Sequence, residues 1–468
     1  MSSGQVLIIF YSVFIILYFL AINLSYLLLV VISFFGIRRI SLMEKIADRD
    51  LSFRSGFFKP LSIIVPAYNE EATIVETVRS TLALRYPDYE VIVVSDGSTD
   101  QTIKVLEEAF ILKPGFFSYR AELTTKKINN IYRSIAHPNL IVIDKENGGK
   151  SDALNAGINV AQYPLFCNID SDSLVDSDAL LKVTDLFVKD WRVIAAGGTI
   201  RAANGALIEN GKVKALRLSK KFWVRFQIVE YLRAFLFGRA GWSAIGGLLI
   251  LSGAFSVFRR KAVIAAGGYR TNTIGEDMEL VLRLQRTMKK IKRPYRVLFL
   301  ADPVCWTQVP ETYRGLKTQR RRWQRGLAES LFLNFDMFLN PRYGAVGMIS
   351  FPFFLFFEFM GPLIETSGYL ILIYALAQGL INWPFALLFF AAAIMLGVLL
   401  STAALLVEEI FYRSYPKLRD VIILFAFAVL ENCFYRQVHS WWRLLGIIDF
   451  IFKRGGWGTL SRQRFDYH

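Results

Sequence analysis

Residues 61–69 read LSIIVPAYN and residues 89–98 read YEVIVVSDGS. Each is a short run of β-branched and aliphatic residues that stops at polar ones. Helix-patterned stretches follow them, Glu71–Leu84 and Thr102–Phe110. After a basic connection the pattern resumes with LIVIDKENGG at 140–149, a helix over Ser151–Ala161, and PLFCNIDSDS at 164–173. Such alternation predicts an α/β domain with a largely parallel sheet and crossover helices, over residues 58–310. Ligands of such sheets sit at the carboxyl ends of the strands. Tyr68, Asn69, Glu70, Asp96, Asp170 and Asp172 all fall there.

The rest of the chain is too apolar for an ordinary soluble protein. Of its 468 residues 54% are hydrophobic, and mean hydropathy is +0.37. Val6–Gly36 carries no charge and exceeds the ~20 residues that cross a bilayer. It lacks the basic start and small-residue cleavage site of a signal peptide, so a retained transmembrane helix is expected over a buried core helix. No Lys or Arg precedes it, whereas Arg38, Arg39, Lys45 and Arg49 follow. The N-terminus is therefore expected outside and the α/β domain in the cytoplasm, which makes the chain a multi-pass protein of the plasma (inner) membrane. At the other end, 345–359 reads as an interfacial helix, and 361–381 and 385–407 as spans. Ile422–Phe450 is apolar yet holds Glu431, Asn432, Arg436, His439, Arg443 and Asp449, so it lines a polar path or lies at the interface. The net charge of +16 fits anionic lipid or an anionic substrate, and the membrane segments argue against nucleic acid. Cys167, Cys305 and Cys433 are scattered and form neither a disulfide framework nor a metal motif.

The acidic residues need a purpose. A lone Asp after a strand is ordinarily a turn former or helix N-cap. Asp170 and Asp172 are harder to dismiss, because positions i and i+2 at a turning strand end can aim both carboxylates into one crevice. A divalent cation relieves their repulsion, and magnesium prefers one or two carboxylates plus phosphate oxygens. Lys150 lies in ENGGKSDALNAG, a glycine-loosened loop that lets backbone amides and a lysine approach phosphate. It is not a P-loop, since Asp144 stands where that motif requires glycine. Asp277 lies in IGEDMELVLRL just before a helix. Residues 311–326, ETYRGLKTQRRRWQRG, are densely basic around Trp323. An amphipathic helix on anionic lipid competes with a phosphate and sugar site there, and both can hold if Gln319, Arg322 and Trp323 face the crevice.

Together VPAYNEE, VSDGSTD, NGGKSDALNAG, DSD, LSGAFSVFRR, GED and QRRRW resemble the landmarks of the family 2 glycosyltransferases. The likeness runs from about Pro60 to Gly326 and is to the membrane-embedded processive synthases of cellulose, chitin, hyaluronan and poly-N-acetylglucosamine. It implies a nucleotide-sugar-binding GT-A-like (Rossmann-like) cytoplasmic domain inserted between N- and C-terminal transmembrane helices. By that likeness Ala67, Tyr68, Glu70 and Asp96 hold the uridine of a UDP-sugar donor. Lys150 and Arg322 meet the diphosphate, and Asp170 and Asp172 bind Mg2+ or Mn2+, with Asp170 also on the donor. Asp277, beside Glu276, is the catalytic base. Ser252, Gly253, Ala254, Gln319 and Trp323 hold the acceptor, a growing polysaccharide. Trp457, Gly458 and Thr459 resemble a gating loop, although Leu460 stands where relatives carry Arg. Gly275 likewise replaces a frequent Thr. The expected division is 1–57, N-terminal helix and basic linker; 58–310, transferase; 311–344, interface helices; 345–450, membrane helices; and 451–468, a cytoplasmic gating-like tail.

The function expected is inverting transfer that builds and exports a β-linked polysaccharide from UDP-N-acetylglucosamine or UDP-glucose. The alternatives are a non-processive transferase acting on a lipid or short glycan, and a non-enzymatic channel or scaffold. A homo-oligomer or accessory subunit stays open.

Overall fold

The structure is a computed structural model that describes residues 3–46, 58–115, 117–209, 212–381, 383–412 and 414–453. The strands are β1 (Leu61–Ala67), β2 (Tyr89–Asp96), β3 (Leu112–Pro114), β4 (Ile128–Ser134), β5 (Leu140–Lys145) and β6 (Leu165–Ile169). They continue with β7 (Ser173–Val175), β8 (Val193–Ala202), β9 (Leu207–Glu209), β10 (Lys212–Ala215), β11 (Phe255–Arg259) and β12 (Arg296–Thr307). All but β9 and β10 form one sheet in the order β3-β4-β5-β2-β1-β6-β11-β8-β12-β7. Ile64, Ile92 and Ile143 pack into a core on one face, and Ile63, Val91 and Val142 into a core on the other. Burial on both faces is why these strands read as unbroken apolar runs.

The parallel sheet expected from the sequence holds at the centre and again between β8 and β12, and is broken by antiparallel strands. At the centre β5, β2, β1 and β6 run parallel, but β11 returns antiparallel between β6 and β8, and β4 pairs antiparallel with β5. The cause is the excursion between β10 and β11. The chain leaves β8 at Ala202, at the carboxyl ends of the parallel strands, and after the continuous rod Phe222–Ala244, with a π-turn over Leu232–Gly238, it re-enters at that same end, Phe255 opposite Ile169.

Helices surround this domain. Tyr313–Leu333 starts at Thr312, whose Oγ1 accepts from the Gly315 amide at 3.2 Å as an N-cap. Val346–Phe359 is helical with π-turns, and the chain breaks at Met360 before Gly361-Pro362, where proline starts the helix to Ala377. Trp383–Phe411 and a continuous rod over Leu418–Ile451 follow. Among the described residues four helices are long and apolar enough to cross a membrane: Phe10–Arg38, Val346–Ala377, Ile394–Phe411 and Leu418–Ile451.

The last rod is not isolated in an apolar medium. Tyr435 stacks on Phe226 with centroids 4.8 Å apart, and Asp449 meets Arg321 at 2.7 Å. Just before it, Glu408 pairs with Arg201 of β8 at 2.6 Å. The rod therefore packs against the Phe222–Ala244 rod and the Tyr313–Leu333 helix. Leu418, Ile422, Val429, Trp441 and Ile451 stay exposed along the last rod.

Candidate active site

The strand ends converge on one cleft of about 1660 Å³. Every site residue expected from the sequence lines it except Trp457, Gly458 and Thr459, which lie outside the described residues.

At the end of β1 and β2 two loops lace together. Asn69, at φ 55°, accepts the Thr99 amide on Oδ1 at 2.8 Å, and Glu71 accepts the Gln101 amide at 3.0 Å. Tyr68 is left half exposed, its ring open to a planar ligand. Glu70 is buried and accepts from Thr73 Oγ1 at 2.9 Å. Asp96 is also buried: it accepts the amides of Gly148 and Gly149 at 3.0 and 2.6 Å and pairs with Lys145. Its carboxylate thus pins the glycine loop. Gly97 needs its positive φ, and a Cβ there would meet the Asn147 nitrogen at 2.7 Å.

That loop launches the helix Lys150–Val160. Lys150 Nζ lies 2.6 Å from Asp170 and 3.4 Å from Glu276, and a Cβ on Gly253 would stand 3.2 Å from it and 3.7 Å from Asp277 Oδ2. One ammonium therefore sits among three carboxylates from two parts of the chain. Burial works against its charge, but Asp170 and Glu276 outweigh it and hold its pKa above the ordinary value. Asp172 has the reverse problem. Burial, with the Asp170 carboxylate beside it, pushes its carboxyl up to about 7. A dry acid next to another acid invites a cation, and two carboxylates suit an ion that takes its remaining oxygens from phosphate and water. Among the described residues no group of three or more His, Cys, Asp or Glu forms a self-sufficient metal cage.

Glu276 and Asp277 open the helix to Lys290. Burial raises both carboxyls, and the Lys150 charge pulls both back; the Met278 amide bonds Asp277 at 2.8 Å, and Arg322 also favours ionised Glu276. Gly275 has a packing reason here, since a Cβ would meet the Gly326 carbonyl oxygen at 2.5 Å. This contact brings the acidic helix start against the Tyr313–Leu333 helix.

Three arginines of that second helix are held by carboxylates. Arg320 is buried against Glu230 at 2.7 Å and lies 4.2 Å over the Trp323 ring. Arg321 pairs with Asp449, and Arg325 with Glu329 at 2.8 Å. Trp323 remains 40% exposed, enough to offer a sugar a ring face. On the opposite wall the Gly253 carbonyl accepts from Asn168 at 2.8 Å, which fixes the Ser252–Ala254 loop.

The cleft also has walls that sequence reasoning missed. Glu230, Tyr231, Phe235 and Arg239 line it from the Phe222–Ala244 rod. The signal was the i, i+4, i+8 spacing of Tyr231, Phe235 and Arg239, which shares one helix face. Phe354, Glu358, His439 and Arg443 close its far end, where Arg443 meets Glu358 at 2.9 Å. Elsewhere on the last rod Trp442 is wholly buried and bonds Tyr313, and Glu431 pairs with Arg233.

A profile described as Glycosyl transferase family group 2 matches residues 165–406, and one described as Glycosyl transferase family 2 matches 62–137. Poly-beta-1,6-N-acetyl-D-glucosamine synthase of Staphylococcus aureus (strain COL) is 31% identical over 276 residues, which are 59% of this chain and 56% of that protein. The chain thus matches little more than half the length of that relative. The protein of the same name from Staphylococcus epidermidis is 27% identical over 382 residues, 77% of this chain and 80% of its own. Among solved structures, a mannosyltransferase from Pyrobaculum calidifontis in complex with GDP-Man and Mn2+ superposes with a TM-score of 0.50. It covers 94% of this chain and 100% of that one at 16% identity, a likeness of fold. The sheet and helices are those of a mixed α/β, Rossmann-like GT-A fold. With one profile over half of its length and a second over the first four strands, this chain belongs to glycosyltransferase family 2.

Proposed function

We propose that the protein polymerises a UDP-sugar, UDP-N-acetylglucosamine ahead of UDP-glucose, into a β-linked polysaccharide and moves the chain across the plasma membrane. The observation that carries this is the single cleft whose walls include both the strand-end acids Asp170 and Asp172 and the helix residues Phe354, Glu358, His439 and Arg443. A site for donor chemistry that opens among apolar helices suits a product too polar to cross lipid unaided. That both staphylococcal relatives are poly-beta-1,6-N-acetyl-D-glucosamine synthases favours N-acetylglucosamine as the unit.

In this reading Asp277 accepts the proton of an acceptor hydroxyl while the hydroxyl oxygen bonds the anomeric carbon. The bond from that carbon to the diphosphate oxygen breaks, UDP leaves with the electron pair, and one displacement inverts the centre. Asp170 and Asp172 would hold Mg2+ or Mn2+, which when bound offsets charge on the leaving diphosphate. Lys150 is positioned to trade its carboxylates for phosphate as the donor enters. Arg322 adds positive charge beside Glu276. Tyr68 meets the uracil and Trp323 the acceptor ring.

For topology, we take 10–38, 361–377 and 383–411 as crossings, with the transferase domain cytoplasmic and the N-terminus outside. Contacts of Asp449 and Tyr435 with the domain support an in-plane 418–451 rod, and its exposed apolar side suits an interfacial helix.

The test is purified full-length protein in lipid, given UDP-sugars with and without magnesium, with UDP release and product size measured. Magnesium-dependent release with long chains is expected. Release with only mono- or disaccharide product would leave transfer but remove polymerisation.

A further inference from the structure

The Phe222–Ala244 rod carries one cation that the chemistry above does not use. Arg239 lines the cleft, yet it is only 7% exposed. Among the described residues no hydrogen bond or ion pair reaches its guanidinium, and its Nη1 is enclosed without a partner. The Phe235 ring lies 4.0 Å from the guanidinium carbon. Every other buried arginine discussed here has a carboxylate: Arg320 has Glu230, and Arg201 has Glu408. A guanidinium has five donors and no acceptor, and burying it unpaired is costly. Burial indeed pulls its pKa down to about 10, against the field of Asp277 and Tyr231.

Position says which ligand would satisfy it. Asp277 and Tyr231 favour the charge on Arg239, and both line the same cleft. Its helix packs on the membrane side, where a Cβ on Gly241 would meet the Leu29 carbonyl of the N-terminal helix at 2.9 Å. Phe235 and Tyr231, with centroids 4.4 Å apart, continue from Arg239 toward Trp323, whose ring is 6.4 Å from Tyr231. The cation therefore ends an aromatic row that begins at the expected acceptor tryptophan.

We propose that Arg239 is an acceptor-binding residue whose unpaired guanidinium donates to hydroxyl or carbonyl oxygens of the terminal glycan unit, holding its attacking hydroxyl beside Asp277. This rests on the transferase reading given above and adds a residue to it. A neutral glycan oxygen supplies the missing acceptors without cancelling the charge that favours ionised Asp277.

The experiment uses full-length protein in lipid nanodiscs with UDP-N-acetylglucosamine and a short N-acetylglucosamine oligomer as added acceptor. UDP release is measured against acceptor concentration, and UDP affinity separately by calorimetry. Arg239→Gln is expected to raise the KM for acceptor tenfold or more, with UDP affinity within twofold of the parent. Arg239→Lys, which keeps charge but not the planar fork, should recover part of that loss. An unchanged acceptor KM in Arg239→Gln would overturn the assignment while leaving the transferase reading intact. A loss of UDP affinity in both variants would also overturn it, by showing a structural role. If the parent protein itself transfers no sugar, the transferase reading falls and the assignment falls with it.

Discussion

At the strand ends the cleft is walled by backbone and loops, whereas toward the membrane helices it is walled by side-chain ion pairs. Asp96 is fixed by two glycine amides, and Asn69 by the Thr99 amide. At the far end Arg320 depends on Glu230, Arg443 on Glu358 and Arg321 on Asp449, each pair joining distant helices. The first arrangement is stiff and suits one constant ligand, a nucleotide diphosphate. The second can yield by rotamer changes, which suits a chain that must bind, react and advance. The proposed base sits at the seam, where Gly275 and Gly326 touch and Asp277 lies in the first turn of its helix.

The largest effect should come at that seam. Asp277→Asn is expected to slow UDP release about a thousandfold, within the usual span for a general base, while calorimetry finds UDP still bound. An unchanged rate would move the base elsewhere. Because burial raises the Asp277 carboxyl, its charged form is lost above the ordinary carboxylate range. The rate should therefore fall as pH drops, and the acid limb of kcat/KM should start above the value for an exposed aspartate.

Next is the helical wall. Arg320→Ala leaves Glu230 buried without its partner and should cost about 3–5 kcal/mol of stability, read by denaturation in detergent. A loss this large at a residue remote from Asp170 would mark the ion pairs as structural supports of the acceptor side. Gly275→Ala tests the seam's packing. Forcing a methyl against the Gly326 carbonyl should cost about 1–3 kcal/mol, and a neutral result would mean the two helices separate freely. Smallest is Arg321→Ala, whose half-exposed pair with Asp449 should change stability by no more than about 1 kcal/mol.

The donor side was legible because its residues come as short strings attached to strand ends, and strand ends are visible in hydrophobic patterning. VPAYNEE, VSDGSTD and DSD each announce a local turn. The antiparallel return of β11 was not legible, since direction depends on where a long helical excursion lands. Nor were the destinations of the arginines in QRRRW: three consecutive residues went to Asp449, to Glu230 and toward Glu276, partners up to a hundred residues away or more.

Sequence alone determined the elements, the apolar helices and the acids, because periodicity and turn chemistry are local. Only the tertiary structure decided that Lys150 stands among three carboxylates, that the last rod packs against the Phe222–Ala244 rod and the Tyr313–Leu333 helix, and that Arg239 is buried unpaired. Those outcomes depend on which charges find each other after the chain has folded back, and Coulomb attraction in a dry cleft acts on distance in space, not distance along the chain.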